Sequence, residues 1–368
     1  MWTAYVILFL AAMGLSLFLT PVVRRLAVRA GFLDRPDLER KTHASPVPYG
    51  GGIAIVLAAM LPLAAAAATA LWCRDHGCPS WLAPRIYDAF SVHLGGIIKK
   101  LPEFAAVLAG GVVLFLLGLV DDRRRLGPFV KLAVQLAVAI ALVLAGVRVT
   151  LFLHSEILGG VVTVLWIVGI TNAFNFLDNM DGLSAGVAFI IAVTFFAVGL
   201  VSGQLFIAAA LAPFVGALAG FLPFNLAPAR IFMGDAGSLF VGYYLAVLSV
   251  LFTYYQYSMG PTAAFRPVAL PLILFAVPIY DATSVTIIRL REGRSPFSGD
   301  RRHLSHRLVE LGLSSRLAVA AIHLLTFGIA LAAVFLYLVE TPFGQAAALV
   351  QAVALLALVV VIERAIRA

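Results

Sequence analysis

Eleven stretches of this chain are apolar over the length that carries a helix across a bilayer, about 20 residues. They are 2–20, 50–72, 103–120, 129–146, 159–177, 183–201, 204–222, 236–255, 267–289, 317–338 and 344–362. Lipid offers the backbone no hydrogen-bond partners, so each stretch must satisfy its own amides as a helix. Of 368 residues, 62% are hydrophobic and 12% charged, against about 45–50% and about 25% in soluble domains. The fold expected is all-α, a polytopic membrane bundle in a single domain over 1–368, without internal repeats or a separate soluble domain. The first stretch, Trp2 to Thr20, has no basic residue before it. It therefore reads as a retained span and not as a cleaved signal peptide, which needs a positive leading segment.

The spans divide the loops into two sets. One set (21–49, 121–131, 178–182, 223–235, 289–316, 363–368) carries 20 Lys and Arg, and the other carries 6. The positive-inside rule puts the first set in the cytoplasm, with the N-terminus outside and the C-terminus inside. The net charge of +8 is thus loop charge, spread across several loops, which argues against nucleic-acid binding. The only two cysteines, Cys73 and Cys78, fall in an outer loop. An oxidising compartment permits a bridge there. Free thiols remain the alternative.

Six of the chain's 18 acids sit in or beside apolar stretches: Asp121, Asp122, Asp178, Asp181, Asp235 and Asp281. Ionised groups there cost roughly 2.5–3.5 kcal/mol each at a helix centre, and facing one side they would form an anionic site for a divalent cation. Four segments carry them and their partners. In Gly118 to Leu132, the Asp121-Asp122 pair needs a nearby cation, from Arg123, Arg124 and Arg125 or from Mg²⁺. Pro128 suits a helix start, which puts Lys131 and Gln135 on one face. In Asn172 to Leu183, the residues Asn172, Asn175, Asp178 and Asp181 recur every three positions, one polar stripe if helical; Asp181-Gly182 also reads as a turn. In Phe224 to Ser238, with Asn225, Asp235 either caps the next helix or lies where a helix N-terminus receives phosphate. In Arg289 to Arg307, a run of arginines with His303 and His306 suits an anion receptor; a basic membrane-surface loop is the plainer alternative. Together they place carboxylates for Mg²⁺ and cations for phosphate on one face. Mg²⁺ takes one or two carboxylates and shares itself with substrate phosphates. No Walker or Rossmann glycine motif is present.

These motifs resemble the polyprenyl-phosphate N-acetylhexosamine-1-phosphate transferases, glycosyltransferase family 4. The resemblance covers nearly the whole chain: Arg40-Lys41-x-His43 with Pro46, Pro48 and Gly50-Gly51-Gly52; Asp121-Asp122; Asn172 to Gly182; Phe224 to Ser238; and Ser295-Pro296-Phe297 through Leu308. The last segment looks more like the branch using UDP-N-acetylglucosamine donors. The resemblance implies transfer of GlcNAc-1-phosphate from the UDP-sugar to undecaprenyl phosphate, releasing UMP, at the cytoplasmic face of a bacterial inner membrane, as a first step toward an envelope polysaccharide. It implies Mg²⁺, with Mn²⁺ as substitute. It implies Asp121 and Asp122 as base candidates or lipid-phosphate neighbours, Asp235 and Asp178 at the metal, and Asp178 and Asp181 shaping the nucleotide site. Lys131, Arg301, Arg302, His303 and His306 would hold phosphates, with Asn172, Asn175 and Asn225 beside the substrate. Partners would be the two substrates and membrane lipid; the oligomeric state stays open, a homodimer included. Two positions depart from the family pattern: Asn179 stands where glycine is usual, and Ser305 where this branch usually has another histidine.

Other donors remain open, namely a UDP-6-deoxy-sugar used for O-antigen or phospho-N-acetylmuramoyl-pentapeptide. A proton-coupled transporter is the reading from a different class. A proton relay needs acids staggered through the bilayer, whereas five of the six lie at one end.

Overall fold

A helix buried over 236–253 organises the architecture. Over those residues the helix α9 (Gly234–Tyr257) is enclosed on every side. Its few polar groups find partners inside the bundle, as lipid requires. The Tyr243 hydroxyl donates to the Val107 carbonyl at 2.9 Å and the Tyr244 hydroxyl to the Ala210 carbonyl at 3.0 Å. Ser249 Oγ accepts from Trp166 Nε1 at 2.9 Å.

The protein is described here from a computed structural model, covering residues 2–34, 46–80, 83–149, 155–257, 265–297, 300–339 and 341–365. In chain order the elements before α9 are α1 (Trp2–Arg29), the two-residue strands β1 (Leu33–Asp34) and β2 (Val47–Pro48), α2 (Gly51–His76), α3 (Pro84–Ser91), α4 (Leu94–Arg124), α5 (Pro128–Leu144), α6 (Glu156–Leu177), α7 (Leu183–Val201) and α8 (Leu205–Asn225). After α9 come α10 (Phe265–Leu274), α11 (Ala276–Arg291), α12 (Leu304–Glu310), α13 (Ser315–Leu338) and α14 (Pro342–Ala365). The strands pair antiparallel, Leu33 opposite Pro48 and Asp34 opposite Val47. Helices α4, α6 and α2 pack on α9; α1 lies on α8 and α2; α13 joins α7 to α14. Exposed Phe18, Leu165, Leu324 and Phe343 mark outward apolar faces.

The chain is thus an all-helical, multi-pass membrane bundle. Among the described residues, nine helices have the length and apolarity to span a bilayer, and the bent pair α10–α11 makes a tenth. The expected eleven also includes α5, a shorter apolar helix. The 59° bend between α10 and α11 has a local cause. Pro278 has no amide to give the Leu274 carbonyl, and its ring crowds that turn. The stretch between α2 and α4 differs from the sequence reading: it contains α3, and α4 begins at Leu94 and not at 103. Cys73 is buried, Cys78 is exposed, and no disulfide joins them.

Candidate active site

The helix ends that carry the acids meet at one end of the bundle. Lys131, in the first turn of α5, donates from Nζ to Asp121 Oδ2 at 2.8 Å and to Asp235 Oδ2 at 2.9 Å. Asp121 Oδ1 also accepts from the Leu126 amide at 2.5 Å, closing the turn after α4. Proline at the start of α5 positions that lysine as the sequence suggested.

Asp122 resolves the question of who caps α9. Its carboxylate accepts the Asp235 amide at 2.8 Å and the Ala236 amide at 3.2 Å. The orphan donors at a helix start are thus met from α4, and the Asp235 side chain is left for Lys131. This geometry requires glycine at 118, because a Cβ there would run into the backbone of Asp235 and Ala236.

The polar stripe does not continue as a helix. Asn172 and Asn175 lie on α6, but the helix ends at Leu177 and Asp178 is its cap residue. Asp181 lies in the turn that follows, closed by Gly182 at φ 72°. Asp-Asn-Met-Asp-Gly is turn chemistry, and it overrides the three-residue period. Asp181 Oδ2 accepts the Ala229 amide at 2.8 Å, tying this turn to the loop before α9. Asp178 accepts no hydrogen bond among the described residues. Burial, then the Asp235, Asp122 and Asp181 carboxylates, push its carboxyl well above the usual range.

The other polar residues divide between the cavity and the frame. Asn172 donates to Gln135 Oε1 at 2.5 Å and Asn175 to Ser238 Oγ at 3.0 Å; both line a groove shared by α5, α6 and α11. Asn225 is buried, and its amide donates to the Ile231 carbonyl at 3.0 Å, bracing the loop into α9. Arg40, Lys41 and His43 lie outside the described residues.

Asp281, the one acid of the six set deeper in its helix, has its own partners. It is completely buried, and Oδ2 lies 2.8 Å from His303 Nδ1 while Oδ1 accepts the Leu304 amide at 2.6 Å. It therefore orients the histidine segment and starts α12. His306 follows one turn later, with ring centroids 6.4 Å apart. Burial, then His303 and Arg301, push the His306 imidazole down to about 4, so it is neutral at neutral pH. Arg289 holds the preceding loop, bidentate to Asp300 at 2.9 and 3.0 Å, with its guanidinium 5.4 Å from the Phe176 ring centre. Burial raises the Asp300 carboxyl, but the Arg289 hydrogen bonds and the Arg302 amide outweigh it and hold the group below its ordinary value. Arg301 is exposed, and Arg302 pairs with Glu292 at 3.0 Å.

Tyr49 was missed from the sequence. Its phenol hydrogen-bonds Asp34 and is held far above its usual range by burial, by Asp34, and by Asp122 and Asp235. Only its position beside the triple glycine hinted at a role. Glu363 was also missed; from the end of α14 it accepts from Arg307 Nε at 2.9 Å and from the Tyr280 hydroxyl at 3.0 Å.

Among the described residues, no three His, Cys, Asp or Glu side chains form a ready-made metal cage. A Mg²⁺ that keeps its waters and meets substrate phosphates needs only one or two carboxylates. Asp178, without a donor, and Asp235, with one oxygen on Lys131, fit that demand.

Comparison with known proteins agrees with this chemistry. A model of glycosyl transferase family 4 matches residues 104–253. The chain is 32% identical to a probable undecaprenyl-phosphate N-acetylglucosaminyl 1-phosphate transferase of Bacillus subtilis, over 90% of this chain and 84% of the relative. It is 34% identical to a decaprenyl-phosphate N-acetylglucosaminephosphotransferase of Mycolicibacterium smegmatis, over 86% and 78%. It is 31% identical to an undecaprenyl-phosphate alpha-N-acetylglucosaminyl 1-phosphate transferase of Thermotoga maritima, over 79% and 78%. The span and identity of these matches make the chain a member of glycosyl transferase family 4.

Proposed function

We propose that this protein transfers N-acetylglucosamine-1-phosphate from UDP-N-acetylglucosamine to undecaprenyl phosphate, on the cytoplasmic face of a bacterial inner membrane, supplying an envelope polysaccharide. The observation that carries the reading is one continuous groove. It measures about 650 Å³ and lies between α5, α6 and α11. Along α6 its wall changes from Leu165, Trp166 and Ile170 to Asn172 and Asn175, and Lys131 is part of its lining. An isoprenoid chain suits the apolar part, and its phosphate would then reach the ammonium that already bridges Asp121 and Asp235. The relatives' names support the lipid carrier and the sugar phosphate.

In this mechanism an oxygen of the lipid phosphate attacks the sugar-proximal phosphorus of the nucleotide sugar. A new P–O bond forms, the bond from that phosphorus to the bridging oxygen breaks, and UMP leaves with the electron pair. Lys131 holds the attacking phosphate. Asp121 is the base candidate beside it, while Asp122, with both oxygens on amides, acts by fixing the start of α9. Asp178 and Asp235 would hold Mg²⁺, which neutralises charge on the diphosphate when bound. His303 and His306 would be hydrogen-bond partners of the nucleotide sugar's diphosphate.

The test is to incubate purified protein with undecaprenyl phosphate, Mg²⁺ and a panel of UDP-sugars, and to read released UMP. UDP-N-acetylglucosamine should give UMP only with lipid and divalent cation present. Asp235→Asn should lower the rate at least about 100-fold, as for groups that stabilise transition-state charge. Full activity in EDTA overturns the cation, and lipid-independent UMP release overturns the acceptor.

A further inference from the structure

Among the described residues, one polar bond joins the carboxylate turn after α6 to the histidine turn that starts α12. Ser305 Oγ donates to Asn179 Oδ1 at 2.5 Å. Ser305 is 1% exposed and lies between His303 and His306 on the turn that starts α12. Asn179 follows Asp178 directly and lies two residues before Asp181. Its Nδ2 donates to the Phe176 carbonyl at 2.7 Å, so both ends of the amide are used. The oxygen takes the serine and the nitrogen fixes the end of α6.

Ring contacts also cross this seam. Phe176 meets the His303 ring at 6.0 Å between centroids and lies under Arg289. Such contacts have broad geometric minima and tolerate sliding. A short hydrogen bond between a buried hydroxyl and an amide engaged at both ends does not. We propose that Ser305 and Asn179 form a clamp that sets the distance between the histidine turn and the carboxylate turn, and through it the affinity for the nucleotide sugar. The clamp rests on the function proposed above. A diphosphate must touch both turns at once, whereas the lipid approaches along α5, α6 and α11. Both are positioning residues, with the substrate met by their neighbours.

The experiment compares full-length Ser305→Ala, Asn179→Ala and the double variant, with KM measured separately for each substrate and the melting temperature recorded. Each single variant should raise KM for UDP-N-acetylglucosamine about three- to tenfold, the size of one lost neutral hydrogen bond. The double variant should be no worse than Asn179→Ala alone, because the bond to Ser305 is already lost in that single variant, which also gives up the bond to the Phe176 carbonyl. KM for undecaprenyl phosphate should stay within about twofold, and Ser305→Thr, which keeps the hydroxyl, should stay near the parent. Asn179→Ala, on the more open turn, keeps the test valid if Ser305→Ala does not fold. Silent single variants, additive effects, or both KM values rising together with lower melting temperature overturn the clamp while leaving the activity standing. A parent protein that releases no UMP overturns the activity and the clamp with it.

Discussion

His306 is a histidine whose surroundings decide its charge. Its imidazole is pushed down to about 4, against about 6.5 in an unfolded chain. Above pH 6.5 both states are neutral there and the native state keeps its full advantage. As pH falls from about 6.5 to about 4, the unfolded state takes up the proton first, so stability is lost across that window. The loss amounts to roughly 3 kcal/mol at most, at about 1.4 kcal/mol per pH unit. His306→Gln should flatten this acid slope of the melting temperature in detergent; an identical slope in the two proteins would mean the imidazole is not held neutral. The sequence suggested His306 as a phosphate ligand but did not reveal that it is uncharged, because burial beside His303 and Arg301 depends on how α12 seats. Lys131 was easier to read: a lysine one turn past a helix-starting proline, beside paired aspartates, has few other uses. Asp281 was legible as costly, but its partner is 22 residues away in sequence and only the fold supplies it.

Between elements, the crossing of α4 and α9 governs the carboxylates. Gly118 lets the last turns of α4 lie against the first turn of α9, which allows Asp122 to cap that helix and Lys131 to bridge Asp121 and Asp235. Gly118→Ala would force the helices apart against backbone, a cost of about 1–3 kcal/mol for overpacking. The expected outcome is a lower melting temperature and at least a tenfold loss of UMP release, as for removal of a positioned electrostatic group. Gly14→Ala, where a Cβ meets nothing within 4 Å, serves as the control and should be silent. Equal behaviour of the two variants would show that the crossing does not set the site. The elements themselves were largely legible, since long apolar runs have no stable alternative to helices in lipid. Their ends were less so. The three-residue spacing from Asn172 to Asp181 suggested one helix, yet Gly182 and the turn-forming residues before it stop α6 at Leu177. The short α12 was hidden in a charged run, and its start depends on a carboxylate from α11.

Across the whole molecule, the ends of α4 and α6 and the starts of α5, α9 and α12 converge, and the lysine- and arginine-rich loops belong to the same set as those ends. An anionic site ringed by basic loops fits a soluble nucleotide sugar arriving from one compartment and a lipid arriving from the side. In the orientation we propose, from the 20-to-6 division of basic residues and the positive-inside rule, that compartment is the cytoplasm. The alternation holds only if α5 crosses the membrane despite its 17 residues, and if the bent α10–α11 pair crosses once. Removing either crossing would put the Asp121 and Arg289 segments on opposite faces, whereas Phe129 at the start of α5 and Phe297 beyond α11 are in ring contact at 5.7 Å. Single cysteines placed in a variant lacking Cys73 and Cys78 test the orientation. Probes at Ser202 and Thr341 should react with an impermeant maleimide in intact cells, and probes at Gly127 and Glu310 only after permeabilisation. Reaction of Gly127 in intact cells would place the carboxylates on the outer face, where UDP-sugars are not supplied, and would overturn both the orientation and the proposed donor.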